Sequence, residues 1–185
     1  MSLLGELAKG YLATHEASPA TAEAFVSLGV ASEPFDRDAP LHITGSALAV
    51  HLPSRRVLLR FHERVGSWIQ LGGHGEAGEE DPFVVARRES IEESGLLDLR
   101  APDPAAPRLV QVVLVEVGAS GREPAHQHLD LRYLLLTEQP ESARPESPSA
   151  PLRWVEVDDA PAHAREENLL PLFGAAATLC NGAGR

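Results

Sequence analysis

The chain has 185 residues, which suits one domain of ordinary size with a single active site. Hydrophobic residues make up 43% of it and charged residues 23%, as in globular proteins that bury a core. The 27 acidic residues outnumber the 16 Lys and Arg residues, so the formal net charge is -11. Because this charge repels nucleic-acid backbones and anionic membranes, we expect neither polymeric nucleic acid nor a membrane as a partner.

Features of a secreted or membrane protein are not found in the sequence. The single cysteine, Cys180, has no intramolecular partner for a disulfide. The segment Met1–Glu6 lacks the basic and apolar regions of a signal peptide. No apolar run approaches the roughly 20 residues that a bilayer-spanning helix needs. We therefore expect a cytoplasmic protein.

Two helices are predicted before Val30, because apolar side chains there recur every three or four positions. The second helix is expected to begin at Ser18-Pro19, with Ser18 as its N-cap. We assign residues 1–35 to an N-terminal helical extension and residues 36–185 to the main domain. The extension is expected either to pack on that domain or to mediate formation of a homodimer.

The next segments alternate in the manner of β-strands. A hairpin is predicted from Ile43–Leu52 and Arg56–Phe61, and Ser67–Leu71 is a further short strand that leads into a glycine-rich loop. A helix is then predicted from Pro82 to Gly95, with Asp81 as its N-cap and Gly95 as its stop.

The second half of the chain is predicted to complete the sheet. Two long strands, Leu109–Val117 and His128–Leu136, are expected to pair antiparallel. The proline-rich stretch Gln139–Pro151 is a predicted surface loop. It is followed by a last strand, Leu152–Val157, and a last helix, Asn168–Leu179.

Three glutamates of the predicted central helix stand out. At about 100° per residue, Glu89, Glu92 and Glu93 fall within roughly a 100° sector, and Val84, Ile91 and Gly95 lie in another. We therefore expect the apolar side to face a sheet and the carboxylates to face a cleft. Like charges at this spacing destabilise a helix by about 0.2–0.5 kcal/mol per pair, and a divalent cation would compensate for them. The alternative is a solvated helix face that binds nothing.

The segment Arg88-Glu-Ser-Ile-Glu-Glu-Ser-Gly-Leu96, with the glycines upstream of it, resembles the Nudix box, the signature of the Nudix hydrolases. That signature reads G-x5-E-x7-R-E-U-x-E-E-x-G-U, with U aliphatic, and it would extend from Gly73 to Leu96. Two departures occur: Ser90 replaces an aliphatic residue, and the loop is one residue longer. The longer loop leaves Glu79 and Glu80 as alternatives for the first glutamate of the box.

The resemblance implies a fold, a metal and a set of roles. The fold would be an α/β/α sandwich with a mixed β-sheet. The ligands of Mg²⁺, or of Mn²⁺ in its place, would be Glu89, Glu93, Glu92 and the carbonyl of Gly73. Arg88 would orient a glutamate, and Glu89 is our first choice as general base. These three side chains, Arg88, Glu89 and Glu93, would be the catalytic residues.

The implied activity is hydrolysis of a diphosphate linkage in a nucleoside diphosphate derivative, a small phosphorylated substrate. Nucleoside triphosphates, nucleotide sugars, dinucleotides and coenzymes are all candidates, because the box fixes the chemistry and not the attached group. One alternative is a catalytically weak ligand-binding or regulatory module with the same fold. An isomerase of the same fold would need a catalytic cysteine in the pocket, whereas Cys180 is near the C-terminus.

A second group of polar residues lies on one predicted strand. His126, His128 and Asp130 alternate and therefore share a face, a spacing compatible with a transition-metal site. We favour the interpretation that they line the pocket wall or the sheet surface, because no cysteine or further histidine cluster accompanies them. His128 and His74, the latter in the glycine-rich loop, are candidate substrate contacts. The alternative for His74 is an exposed loop histidine that contacts solvent only.

Overall fold

The structure, a computed structural model, describes residues 2–121 and 124–182. Its helices are α1 (Leu3–Leu12), α2 (Pro19–Leu28), α3 (Pro82–Ser94), α4 (Ala160–His163) and α5 (Leu170–Gly182). Its strands are β1 (Leu41–His51), β2 (Arg56–His62), β3 (Ser67–Ile69), β4 (Leu71–His74), β5 (Gln111–Val117), β6 (His126–Leu136) and β7 (Leu152–Glu156).

All seven strands belong to one mixed sheet. Five of them follow the order β3-β2-β1-β6-β5, while β4 pairs with β1 and β7 with β2. The pair β1 and β6 is parallel, and the other pairs are antiparallel. Helices α1, α2 and α3 pack against one face of the sheet and α5 against the other. The expected α/β class, with a mixed sheet between helices and an N-terminal helical extension, is confirmed.

The two faces of β1 differ in character, because successive side chains of a strand point to opposite sides. Ile43 and Ala47 belong to the core under α1, α2 and α3. On the other face, Leu48 and Val50 pack in the core with α5. The first part of that second face is polar instead, since His42, Thr44 and Ser46 are buried there.

The N-terminal helices pack on the sheet. Ser18 caps α2 by accepting a hydrogen bond from the backbone N–H of Thr21, as predicted. Phe25 of α2 is fully buried in the core that α3 shares. The hydroxyl of Tyr11 in α1 accepts a hydrogen bond of 3.1 Å from the backbone N–H of Val112 in β5. Homodimer formation through this extension stays a prediction.

The predicted strand Ser67–Leu71 is wrong in its extent. The structure has two strands there, β3 on β2 and β4 on β1, with a break at Gln70. The second strand runs through Gly72 and Gly73, which we expected in a loop. Glycine is required at Gly72, because its φ is 144° and a Cβ there would overlap Ser46.

The boundaries predicted for α3 are confirmed, but the prediction of which helix face is buried is wrong. Asp81 caps the helix through Phe83 N–H, and Gly95 ends it with a φ of 68°. However, Val84 is 50% exposed, and the buried residues are Pro82, Val85, Ala86, Ser90, Glu93 and Ser94. Gly45 explains this orientation: a Cβ there would lie 2.5 Å from the Pro82 carbonyl oxygen, so the helix rests on the backbone of β1.

No helix within residues 2–121 and 124–182 is long and apolar enough to cross a membrane.

Candidate active site

Helix α3 and strand β4 bring the predicted catalytic segment together. A Cβ on Gly73 would come within 2.5 Å of Glu89 Oε2, so the carboxylate of Glu89 lies against the backbone of β4. The other oxygen, Oε1, accepts a hydrogen bond of 3.0 Å from Arg88. The structure thus places Glu89 beside Gly73, two of the residues assigned to metal binding from the sequence.

Glu93 is the most buried of the three helix glutamates, with 7% of the residue exposed. Its Oε2 accepts a hydrogen bond of 3.0 Å from the backbone N–H of Gly72, and Arg60 Nε lies 3.3 Å from its Oε1. Burial raises the pKa of Glu93 to about 7, although Gly72 and Arg60 oppose the rise. These two partners therefore compensate only in part for the buried negative charge.

Arg88 joins the loop to the helix carboxylates. Its guanidinium donates to both oxygens of Glu79 at 3.0 and 2.9 Å, to Glu89 at 3.0 Å and to the carbonyl of His74 at 2.8 Å. The hydrogen bonds to Glu79 lower the pKa of that carboxyl and raise the pKa of Arg88. Charge-assisted contacts in this two-pronged geometry are strong and directional. Arg88 therefore contacts both the loop and Glu89, while its predicted role of orienting a catalytic glutamate stays a prediction.

Glu79, and not Glu80, is the loop glutamate that reaches this network. Glu79 is half-buried against Arg88, whereas Glu80 is exposed. Glu79 also fixes its own loop, because its Oε2 accepts a hydrogen bond of 2.8 Å from Glu76 N–H. The extra residue of the loop is thus accommodated while one carboxylate still meets Arg88.

Glu92 differs from its two neighbours. Its side chain is 51% exposed, and its carboxylate lies 3.3 Å from Arg88 in an i,i+4 ion pair. The expectation that three equivalent carboxylates face a cleft is therefore too simple. Glu89 and Glu93 turn toward β4, while Glu92 lies on the outer side of Arg88.

The polar face of β1 and β6 lies on the opposite side of the sheet from α3. There Asp130 accepts hydrogen bonds from Thr44, Ser46 and Gln70 at 3.1, 2.9 and 3.2 Å. Arg132 Nε donates to the same carboxylate at 2.8 Å, and both residues of this ion pair are almost fully buried. Asp130 is thereby fully engaged in structural contacts.

The predicted substrate residues His74 and His128 are brought together, with 3.2 Å between their Nε2 atoms. His126 and His42 join them. Sequence reasoning missed His42, because it lies on another strand in a segment without other metal-ligand types. Arg60 of β2 and Gln70, between β3 and β4, were missed because only the folded sheet brings them near Glu93 and Asp130, respectively.

The comparisons with known proteins agree on one family. The profile of the NUDIX domain matches residues 42–173, more than half of the chain. The chain therefore belongs to the Nudix family, which confirms the resemblance of its box. It is a pyrophosphohydrolase of the Nudix type. No match was found among curated proteins.

Solved structures share the fold. A NUDIX-family hydrolase from Clostridium perfringens is 25% identical, with a TM-score of 0.54 over 75% of this chain and 97% of that chain. An Ap4A hydrolase from C. elegans, solved as a binary complex, is 18% identical with a TM-score of 0.57, covering 76% and 98%. A mutator MutT protein from Bacillus halodurans is 20% identical with a TM-score of 0.50, covering 71% and 79%.

Proposed function

We propose that this protein is a metal-dependent hydrolase that cleaves a diphosphate linkage in a nucleoside diphosphate derivative. The arrangement of Glu89 and Glu93 against the backbone of Gly72 and Gly73 carries the proposal. Arg88 holds this arrangement in place. Residues 36–185 would form the catalytic domain and residues 1–35 its accessory extension, in the cytoplasm.

The donor atoms fit Mg²⁺ or Mn²⁺. Carboxylate and carbonyl oxygens are the ligands that these hard cations prefer. Burial raises the pKa of Glu93, and a cation beside this carboxylate would favour its charged form. Glu89, Glu93 and the Gly73 carbonyl would hold the ion, with Glu92 as a further ligand after a change of rotamer. When bound, the cation lowers the pKa of water and neutralises charge on the phosphates.

Glu89 suits the role of general base better than Glu93. One oxygen of Glu93 accepts a hydrogen bond from Gly72 N–H, and the other lies 3.3 Å from the Arg60 guanidinium in an ion pair. Only Oε1 of Glu89 is held by Arg88, while Oε2 lies against Gly73. A base needs an oxygen directed at the proton that it accepts. Burial raises the pKa of Glu89, which makes it a better proton acceptor than an exposed carboxylate.

Two observations support a nucleoside diphosphate derivative as the substrate. The box chemistry requires a diphosphate, and the solved neighbours include proteins described as an Ap4A hydrolase and a MutT protein. The expectation that His74 and His128 contact substrate stays a prediction, and it competes with a metal-binding role for the same rings. A small phosphorylated molecule is also consistent with the net charge of -11, since a bound cation reverses the field locally.

The test is hydrolysis of a panel of nucleoside triphosphates, nucleotide sugars and dinucleotides with Mg²⁺ or Mn²⁺. We expect turnover of at least one compound and its loss with EDTA. Glu93→Gln keeps the size of the side chain but removes the charge, and should reduce kcat by about a thousandfold or more.

The matched control is Glu156→Gln, the same substitution at an exposed position of β7. It should leave turnover unchanged. If the wild type binds panel members without hydrolysing any of them, the ligand-binding module becomes the better description and the hydrolase proposal fails.

A further inference from the structure

Four histidines from three strands form a cluster beside the candidate active site, which we term the histidine cluster: His42 of β1, His74 of β4, and His126 and His128 of β6. One ring nitrogen of each can be chosen so that all four atoms lie within 4.8 Å of one another. The parallel register of β1 and β6 pairs His42 with His128 directly. The cluster therefore results from the sheet topology and not from a local motif.

Backbone carbonyls fix the orientation of two of these rings. His42 Nδ1 lies 3.0 Å from the carbonyl oxygen of Ala39, and His126 Nδ1 lies 2.9 Å from that of Pro124. A carbonyl only accepts, so each Nδ1 carries the hydrogen, and each neutral ring has a lone pair on Nε2. Metal-ligating histidines are held in this same way by an acceptor on the second ring nitrogen.

His42 provides a second observation that points to a ligand. The residue is 1% exposed, and its Nε2 has no hydrogen-bond partner among the described residues. Burying an acceptor without a partner costs free energy, so such groups are rare in native proteins. A cation at the centre of the histidine cluster would satisfy this nitrogen.

The contacts of His128 lead to the same conclusion. Its Nε2 lies 2.8 Å from Nε2 of His126 and 3.2 Å from Nε2 of His74. In a neutral ring this nitrogen has either one hydrogen or one lone pair, so it makes one good hydrogen bond in the ring plane. Two short N···N contacts therefore exceed what neutral rings satisfy alone, whereas one metal ion shared by all the rings satisfies both.

We propose that the histidine cluster is a binding site for Zn²⁺ or a similar transition-metal ion, separate from the oxygen-rich Mg²⁺ site at Glu89 and Glu93. Zinc prefers nitrogen ligands at about 2.0–2.1 Å in a tetrahedron, which places neighbouring nitrogens about 3.4 Å apart. The observed separations of 2.8 and 3.2 Å, with none above 4.8 Å, are close to that arrangement. Imidazole suits zinc, whereas magnesium requires oxygen.

The surroundings of the histidine cluster suit a buried ion that can be reached from solvent. His42 and His126 are buried, with 1% and 8% of each residue exposed. His126 borders an open cleft of about 1580 Å³, which gives an ion a route into the site.

A zinc ion in the histidine cluster would fix the start of the loop that follows β4. It would link β1 and β6 to His74, the last residue of β4, which directly follows Gly73. The carbonyl of the same His74 accepts a hydrogen bond from Arg88. The ion would thus hold the end of β4 against β1 and β6 without taking part in the chemistry.

The test is the zinc content of the full-length protein, together with a zinc titration of chelator-treated protein. We expect one zinc ion per chain. His126→Gln and His128→Gln should each weaken zinc binding by about tenfold or more, because each removes a ligand. His163→Gln, a histidine at the end of α4, is the matched control and should bind zinc as the wild type does.

Two further measurements distinguish a zinc site from histidines that contact substrate and from zinc bound at the glutamates. Cobalt added to the wild type in place of zinc should give the intense visible absorption of tetrahedral nitrogen coordination, a result that depends on no variant. Glu93→Gln should keep its zinc. The proposal is overturned if no form binds zinc, if the histidine variants bind it as tightly as the wild type, or if Glu93→Gln alone loses it. It is also overturned if the histidine variants only raise KM for substrate, because the rings would then contact substrate directly.

Discussion

Gly73 and Glu89 are in such close contact that a single methyl group between them would displace the carboxylate. We therefore expect Gly73→Ala to reduce kcat by about 10–100-fold while the protein stays folded, since a displacement of about 1 Å is enough for such a loss. Gly174→Ala is the control, because a Cβ there meets nothing within 4 Å. Steady-state kinetics with circular dichroism would check both. Equal activity of the two variants would show that Glu89 does not depend on Gly73.

The guanidinium of Arg88 should not be replaceable by an ammonium. Arg88 contacts Glu79, Glu89 and the His74 carbonyl at the same time, and lysine lacks the planar fork that makes this geometry. Arg88→Lys is expected to lower activity by about 10–100-fold, the usual effect of losing a residue that orients metal ligands. The neighbouring Arg87→Lys should keep most activity, because Arg87 donates to the Leu99 carbonyl and not to the site carboxylates. Equal losses in the two variants, measured by steady-state kinetics, would contradict this role of Arg88.

Glu79 and Glu80 form a matched pair of adjacent glutamates with different surroundings. Glu79→Gln removes the charge that pairs with Arg88 and should lower activity by about 10–100-fold. Glu80→Gln, at an exposed position, should change kcat by less than about twofold. Kinetic constants for the two variants, measured side by side, decide which glutamate is the first of the box. The reverse order of effects would show that the loop rearranges when substrate binds.

Asp130 is expected to matter for stability. It accepts four hydrogen bonds in a site where both it and Arg132 are almost fully buried. Breaking a buried pair on one side costs about 3–5 kcal/mol, so Asp130→Asn should lower the free energy of unfolding by about that amount. Glu138→Gln, which breaks the exposed pair with Arg100, should cost less than about 1 kcal/mol. Urea unfolding of both variants provides the comparison.

Glu93 should make the metal-free protein less stable at alkaline pH. Its pKa is raised to about 7 in the folded protein, above the ordinary value near 4.5, so the folded state binds the proton more tightly. Protonation of Glu93 thus contributes roughly 2–4 kcal/mol to the free energy of unfolding. This contribution is fully present below about pH 4.5 and is lost as the pH rises through 7. In EDTA, wild type should lose stability relative to Glu93→Gln between pH 5 and about 8. If the free energy of unfolding changes with pH in the same way for both proteins, Glu93 is not the source of the pH dependence.

The sequence predicted the helix caps, the long strands and the family, because these depend on local patterns. Ser18, Asp81 and Gly95 have the roles that their residue types favour. The face of α3 was not predictable, since Val84 and Val85 are chemically equal and only contact with Gly45 distinguishes them. The break at Gln70 was missed because the chain changes its pairing partner there, which depends on the sheet as a whole.

The residues of the candidate site were also predictable only where they depend on local sequence. Arg88, Glu89 and Glu93 lie within six residues of one helix, so their association was predictable from the sequence. The choice between Glu79 and Glu80 depends on the path of a glycine-rich loop, which sequence spacing does not fix. His42 joins His128 only through the parallel pairing of β1 and β6, a contact between distant segments.

The hydrogen bond between Tyr11 and Val112 limits association between molecules at the edge of the sheet. Strand β5 is at the end of the strand order, so its outer backbone groups are a template on which a strand of another molecule would add. The phenol of Tyr11 takes up one of those outward N–H groups, and α2 packs nearby. Helices α1 and α2 therefore protect the edge of the sheet at β5 and discourage aggregation by strand addition.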